Sequence, residues 1–151
     1  MNSTTLDKPL TKAGTLYLVH VLTHATRTRL DESMAALGLS SFQYTILSVI
    51  ARHEGLSSSK LSRRFHVTPP AMGEVILLLE RKGLIHRRED PANRKILRLS
   101  LTAAGMQTVE QGDLLVHAFE KKVFSGLSDA QIESLRDVLT KSLATVQEIP
   151  R

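Results

Sequence analysis

Leu16, Val19, Leu22, Thr26, Leu30, Met34 and Leu37 recur at spacings of three and four through 14–37, the repeat of one apolar helix face. A long first helix is predicted there, closed by Gly38, a residue suited to the left-handed conformation that ends helices. In 40–53, Ser40 and Gln43 stand at the spacing of a capping box, where each side chain satisfies the other residue's free backbone donor. Ile46, Leu47 and Ile50 form the inward face of that second helix. The serines of 56–65 can cap a short third helix with Leu61 and Phe65 on its buried side. After a break at His66-Val67 comes Thr68-Pro69-Pro70. Proline suits a first helical turn because its missing donor would be unpaired there anyway, so a fourth helix is predicted over 68–82 with Thr68 as its cap. Met72, Val75, Ile76 and Leu79 make its apolar stripe, and Gly83 follows its end.

From 84 the period changes. Segments 84–89 and 95–101 alternate Ile, Leu and Arg around Asp90-Pro91-Ala92-Asn93, a cluster of turn formers, which predicts a β-hairpin with a basic tip. Thr102 caps a fifth helix to about 124, carrying Met106, Val109, Val116, Phe119 and Val123. Ser128 and Gln131 make a second capping box for a sixth, with Ile132, Leu135, Val138, Leu139, Ser142 and Val146 in helical repeat. The expected fold is mainly α, six helices with a small β-hairpin wing.

Two short helices joined by a tight turn and followed by a basic hairpin make a winged helix-turn-helix. The second of them can sit in the major groove of DNA, which admits a helix and shows each base pair as a distinct pattern of donors and acceptors. Its outward positions are Thr68, Pro69, Pro70, Gly73 and Glu74, a small reading surface with no cation. Thr68 can bond a phosphate or a base edge, and the prolines can touch thymine methyl groups. Two readings of Glu74 stay open: an acceptor for a cytosine amino group, or an acid that stabilises its own helix near the positive end.

Charge placement supports a nucleic-acid partner. The net charge is +5, yet 52–98 alone holds 11 Lys and Arg against 5 Asp and Glu, a basic block of the kind that displaces counterions from phosphates. Phosphate clamping is assigned to Ser58, Lys60, Arg63 and Arg64 around the third helix and to Arg87, Arg88, Lys95 and Arg98 on the hairpin. Arg94 at the tip is the candidate for the minor groove, whose negative potential attracts an inserted arginine. Basic residues on an edge hairpin also block edge-to-edge pairing, which would account for one arginine better than for cations on three adjacent elements.

The run Gly83-Leu84-Ile85-His86-Arg87-Arg88-Glu89-Asp90-Pro91-Ala92-Asn93-Arg94-Lys95, continuing to Leu99-Ser100-Leu101-Thr102-Ala103-Ala104-Gly105, together with Leu39-Ser40-Ser41-Phe42-Gln43-Tyr44, resembles the wing and helix signatures of the MarR family of bacterial regulators, over roughly 10–147. The resemblance implies a homodimer interlocked through 10–37 and 102–147, with 40–101 as a winged lobe and both lobes placed on a pseudo-palindromic DNA operator. The whole of 1–151 is then one such domain. Two positions depart from the family habit: Asn93 stands where an aspartate usually braces the wing-tip arginine, leaving a neutral hydrogen bond to Arg94, and Glu74 stands near a usual cation.

The same resemblance implies an effector, a small aromatic or phenolic acid held between the dimerisation helices and the DNA-binding lobe. His20, His24 and Arg27 share one face of the first helix, and Tyr17 and Tyr44 could wall a cleft. Ordinary polar residues of a helix face or dimer interface, and a metal pair at the two histidines, are the other readings; no Glu stands between the histidines as in zinc proteases and no third ligand is evident.

The absence of cysteine removes disulfides, thiolate zinc sites and thiol redox sensing. Catalysis is not expected, since no Gly-x-Ser-x-Gly elbow, P-loop or dinucleotide fingerprint occurs, and no cofactor is implied. Residues 1–9 lack the basic stretch and apolar core of a secretory signal, and no apolar run reaches the roughly 20 residues of a membrane span, so a cytoplasmic protein with no membrane partner is expected. A DNA-architectural or protein-interaction module without an effector is the alternative function.

Overall fold

The computed structural model describes residues 14–150; the start of the predicted dimerisation segment 10–37, the stretch 1–9 and Arg151 lie outside the described residues. Six helices and one hairpin follow in the expected order: α1 (Thr15–Met34), a 3-10 turn (Ala35–Leu37), α2 (Ser41–Arg52), α3 (Ser58–Arg64), α4 (Pro69–Arg81), β1 (Ile85–Asp90), β2 (Asn93–Leu101), α5 (Ala103–Val123) and α6 (Asp129–Glu148). They divide into two compact units, one ending at Leu115 and the other starting at Val116. Among the described residues no single helix is long and apolar enough to cross a membrane.

In the first unit α2, α3 and α4 each start at a side-chain cap. Ser40 and Gln43 satisfy each other's backbone donors at α2, Ser57 accepts from the Lys60 amide at α3, and Thr68 from that of Ala71 at α4. The ends of α3 and α4 share one hydrogen-bond pattern. After α4, Gly83 N–H donates to Glu80 C=O and Leu84 N–H to Leu79 C=O, the paired bonds of a Schellman motif. After α3 the same pair runs from His66 to Arg63 and from Val67 to Ser62, with His66 in the left-handed region at φ 52°. A histidine thus makes the tight turn of the helix-turn-helix, a position that the sequence presented only as a break.

Met34, Ile46, Leu47, Leu61, Met72, Ile76, Leu79, Ile85 and Leu99 are almost wholly buried and form the core of this unit. Phe42 and Phe65 meet edge to face with centroids 5.7 Å apart, tying α2 to the end of α3. The strands reach further toward the tip than the alternation implied. They also gain a neighbour: Leu99 N–H donates to Leu56 C=O at 2.8 Å, and Ser57 bridges Arg98 in antiparallel sense. The segment before α3 is therefore tied to β2 by an isolated β-bridge.

Tyr44 on α2 is buried, and its hydroxyl donates to Asp113 on α5, which also receives the Arg52 guanidinium at 3.4 Å. A Cβ added at Gly112 would lie 2.4 Å from the Tyr44 ring, so a glycine makes room for it. Burial first, and then the Asp113 carboxylate, push the Tyr44 hydroxyl up to about 12 from an ordinary 10.0. The folded state holds this proton more tightly than the unfolded one, so its contribution is full below pH 10 and is lost as pH rises toward 12. Tyr44→Phe is expected to cost about 1 to 2 kcal/mol at neutral pH. In urea unfolding, the wild type should lose more stability than the variant between pH 8 and pH 11.

In the second unit, Ser128 and Gln131 form the expected capping box for α6. Phe124, Leu127, Ile132, Leu135 and Leu139 line an apolar cavity of about 380 Å³ there.

Candidate nucleic-acid interface

The hairpin is held by a carboxylate. Asp90 is only 5% exposed; it accepts the Ala92 amide at 2.8 Å and the Arg98 Nε at 2.6 Å. That amide first, and then the Arg98 guanidinium, hold its carboxyl below the usual range. Arg98 also reaches the Gly55 carbonyl at 3.4 Å. Pairing runs in register from Ile85 opposite Leu101 to Glu89 opposite Leu97, then shifts so that Asp90 faces Asn93. Arg94, Lys95 and Ile96 are the residues left over between the two registers, and they bulge at the tip.

These contacts sort the predicted cations. Arg98 is turned onto Asp90, and Arg87 is bound to Glu80 of α4 through its Nε at 3.0 Å, a pairing that lowers the Glu80 carboxyl and raises the Arg87 guanidinium. Both are first of all braces that fix the wing to its own unit. Arg94 is different: its side chain is 89% exposed and its ion partner, Glu89, lies at 3.9 Å. The expected hydrogen bond from Arg94 to Asn93 is not formed; the Asn93 Oδ1 accepts the Lys95 amide at 3.1 Å. Arg88 and Lys95 are exposed beside it.

Between the start of α3 and the wing lies a cleft of about 490 Å³ whose lining includes Ser58, Lys60, Arg63, Lys95 and Arg98. Cations from both elements thus converge on one opening. Arg64 is exposed on the last turn of α3. On α4, Thr68, Pro69, Pro70, Gly73 and Glu74 are all exposed, as the helical spacing required, while Met72, Ile76 and Leu79 are buried. Leu77 and Leu78, which the sequence assigned to neither face, are also exposed one turn further on.

The predicted effector residues are not gathered in the same way. Tyr17, His20, His24 and Arg27 are exposed along α1, with Arg27 3.9 Å from Asp31. Tyr44 is turned instead to Asp113. The hairpin, α3 and α4 all lie in the first unit.

The sequence profile of the MarR family matches residues 39–97, the winged module just described. A transcriptional regulatory protein named for the hcr operon of Thauera aromatica is 31% identical over 113 residues, covering 75% of this chain and 68% of that one. The transcriptional repressor Rv2887 of Mycobacterium tuberculosis is 28% identical over 125 residues, 83% of this chain and 90% of its own. Its structure in complex with p-aminosalicylic acid superimposes with a TM-score of 0.69 over 85% of this chain and 98% of that chain. The S. aureus MepR–DNA complex shares the fold, with a TM-score of 0.78 at 24% identity over 88% of this chain and 96% of that one. Together with the capped helix-turn-helix and its braced basic wing, these likenesses place the chain in the MarR family of transcriptional regulators, as a protein with a DNA-binding winged-helix fold.

Proposed function

We propose that the protein is a homodimeric repressor that holds a pseudo-palindromic operator through two winged modules and releases it when a small aromatic or phenolic acid binds. The observation that carries the DNA reading is the division of labour among the wing arginines: Arg87 and Arg98 are bound to internal carboxylates, while Arg94 stands on the bulged tip with 89% of its side chain exposed. A folding role leaves that arginine unexplained; a minor-groove role uses it as it stands. Lys60, Arg63 and Lys95 around the cleft take backbone phosphates, and α4 enters the major groove.

Dimerisation is supported by what a single chain leaves uncovered. On α1, Leu16, Val19 and Leu22 are exposed, Leu16 at 84%; on α6, Leu139, Leu143 and Val146 are exposed. Soluble monomers rarely leave such apolar stretches open, and a second copy covers them. The division into a winged lobe, 40–101, and dimerisation segments, 10–37 and 102–147, follows from this reading.

Rv2887, a relative at 28% identity, binds p-aminosalicylic acid, which supports an aromatic acid as effector here. His20, His24 and Arg27, with Tyr17 beside them, supply cations and an aromatic edge on α1; Tyr44, its hydroxyl engaged, offers only its ring. Ligand binding would fix the two modules at a separation that no longer matches successive turns of the duplex. By linkage, such a ligand must bind the operator complex more weakly than the free dimer.

The test is fluorescence anisotropy on DNA from the protein's own upstream region, with p-aminosalicylate and related acids titrated into the complex. Release by a panel member, with weaker ligand affinity in the presence of operator, is the expected result. Equal ligand affinity for free and operator-bound protein would contradict the release mechanism.

A further inference from the structure

Between its Thr68 cap and Glu80, α4 carries one polar side chain, Glu74; every other residue of that stretch is proline, glycine or apolar. Burial takes Met72, Ile76 and Leu79 inward. Pro70, Gly73, Glu74 and Leu77 follow one another at helical spacing on the exposed side, beside Pro69, with Leu77 still 37% exposed. Gly73 has no packing reason of its own. A Cβ built on it meets nothing within 4 Å, and glycine inside a helix is destabilising relative to alanine. A missing side chain that the protein's own packing does not require is what a close external surface requires.

The chemistry of the groove narrows what that surface is. Both purine edges carry the N7 acceptor and are read through it by donors: arginine or lysine on guanine O6 and N7, and the side-chain amide of asparagine or glutamine, which donates to adenine N7 while accepting from its N6 amino group. Before Arg81, α4 has none of these residues. Pyrimidine edges ask for the opposite, an apolar surface for the thymine 5-methyl group and an acceptor for the cytosine 4-amino group. Those are the two chemistries on this face. We propose that α4 is a pyrimidine reader: Pro69, Pro70 and Leu77 take thymine methyl groups, Glu74 takes a cytosine amino group, Gly73 lets the helix approach closely, and purine edges go unread in the major groove. This rests on the reading of the winged module as an operator-binding element, and it names the base chemistry that element selects.

The experiment compares the full-length protein on four duplexes by anisotropy: the natural upstream sequence, the same with uracil for thymine, the same with 7-deazapurines for purines, and a scrambled control. Uracil lacks only the methyl group, and 7-deazapurines lack only the N7 acceptor. The expected loss with uracil is about fourfold per contacted methyl group, roughly tenfold or more in total, while the 7-deazapurine duplex binds within about twofold of the natural one. Leu77→Ala should narrow the thymine-over-uracil ratio. Gly73→Ala should raise the thermal midpoint while weakening binding to the natural duplex, so misfolding cannot mimic its effect. A preference for the natural over the scrambled duplex that survives uracil and falls with 7-deazapurines overturns this inference alone; equal binding to natural and scrambled DNA overturns the operator reading beneath it as well.

Discussion

Replacing Gly105 by alanine is expected to lower the thermal midpoint by about 10 °C, the largest effect of any single methyl group in the first unit. A Cβ at this position would lie 2.0 Å from the Leu84 carbonyl oxygen and 2.9 Å from its carbon. That carbonyl cannot step aside, because it accepts the Thr102 amide at 3.0 Å. Thr102 in turn donates its hydroxyl to the Gly83 carbonyl at 2.6 Å and accepts the Gly105 amide at 3.0 Å. The start of α5, the end of α4 and the first residue before β1 are therefore one knot, with Gly105 at its tightest point. Overpacking costs about 1 to 3 kcal/mol, the upper end applying where the backbone is held, and in a chain of this length each kcal/mol moves the midpoint by roughly 2 to 4 °C. Calorimetry of the two proteins decides it. A midpoint within about 2 °C of wild type would show that the two backbones can separate at this point.

Arg94→Ala is expected to weaken operator binding by about tenfold to a hundredfold, the range for losing a well-placed groove contact, and to leave the thermal midpoint unchanged. The reason for the split is exposure: the Arg94 guanidinium pairs with Glu89 at 3.9 Å while 89% of its side chain is exposed, and such pairs contribute little to stability. Arg98→Ala makes the contrast. It leaves Asp90 buried without its cation, so the wing itself loosens and stability falls together with binding. Anisotropy and thermal melts on both variants separate the roles. Unchanged operator affinity in Arg94→Ala would show that the wing tip stays out of the groove.

The order of elements was legible because local chemistry dictates it. Capping residues at Ser40, Thr68 and Ser128 mark helix starts within a residue of where they occur, and the change of period after Gly83 marks the hairpin. The features that escaped are those that depend on partners distant in sequence. Asp90 reads as a turn former, and only the fold brings Arg98 onto it across the register shift. The bridge at Leu56 and Ser57 has no alternation to announce it; it forms where Leu99 finds an acceptor for its amide. Tyr44 looked available to a ligand, since nothing in the sequence couples it to Asp113, 69 positions away. Charge alone likewise could not tell a bracing arginine from a free one: Arg87, Arg94 and Arg98 look equivalent until Glu80 and Asp90 claim two of them. On α4 the exposure of Thr68, Pro69, Pro70, Gly73 and Glu74 was legible, while Leu77 and Leu78, also exposed, were assigned to neither face.

The central claim is that this winged module recognises a particular DNA sequence as a dimer. It is tested most directly by the ratio of affinities for the protein's own upstream duplex and for a scrambled duplex of equal length and composition, measured at two salt concentrations, with the mass of the complex determined by sedimentation. A preference of about a thousandfold or more, two chains per duplex, and binding to both duplexes that weakens steeply with salt are the predicted results. Equal affinity for the two duplexes, or one chain per duplex with no preference, would contradict the claim.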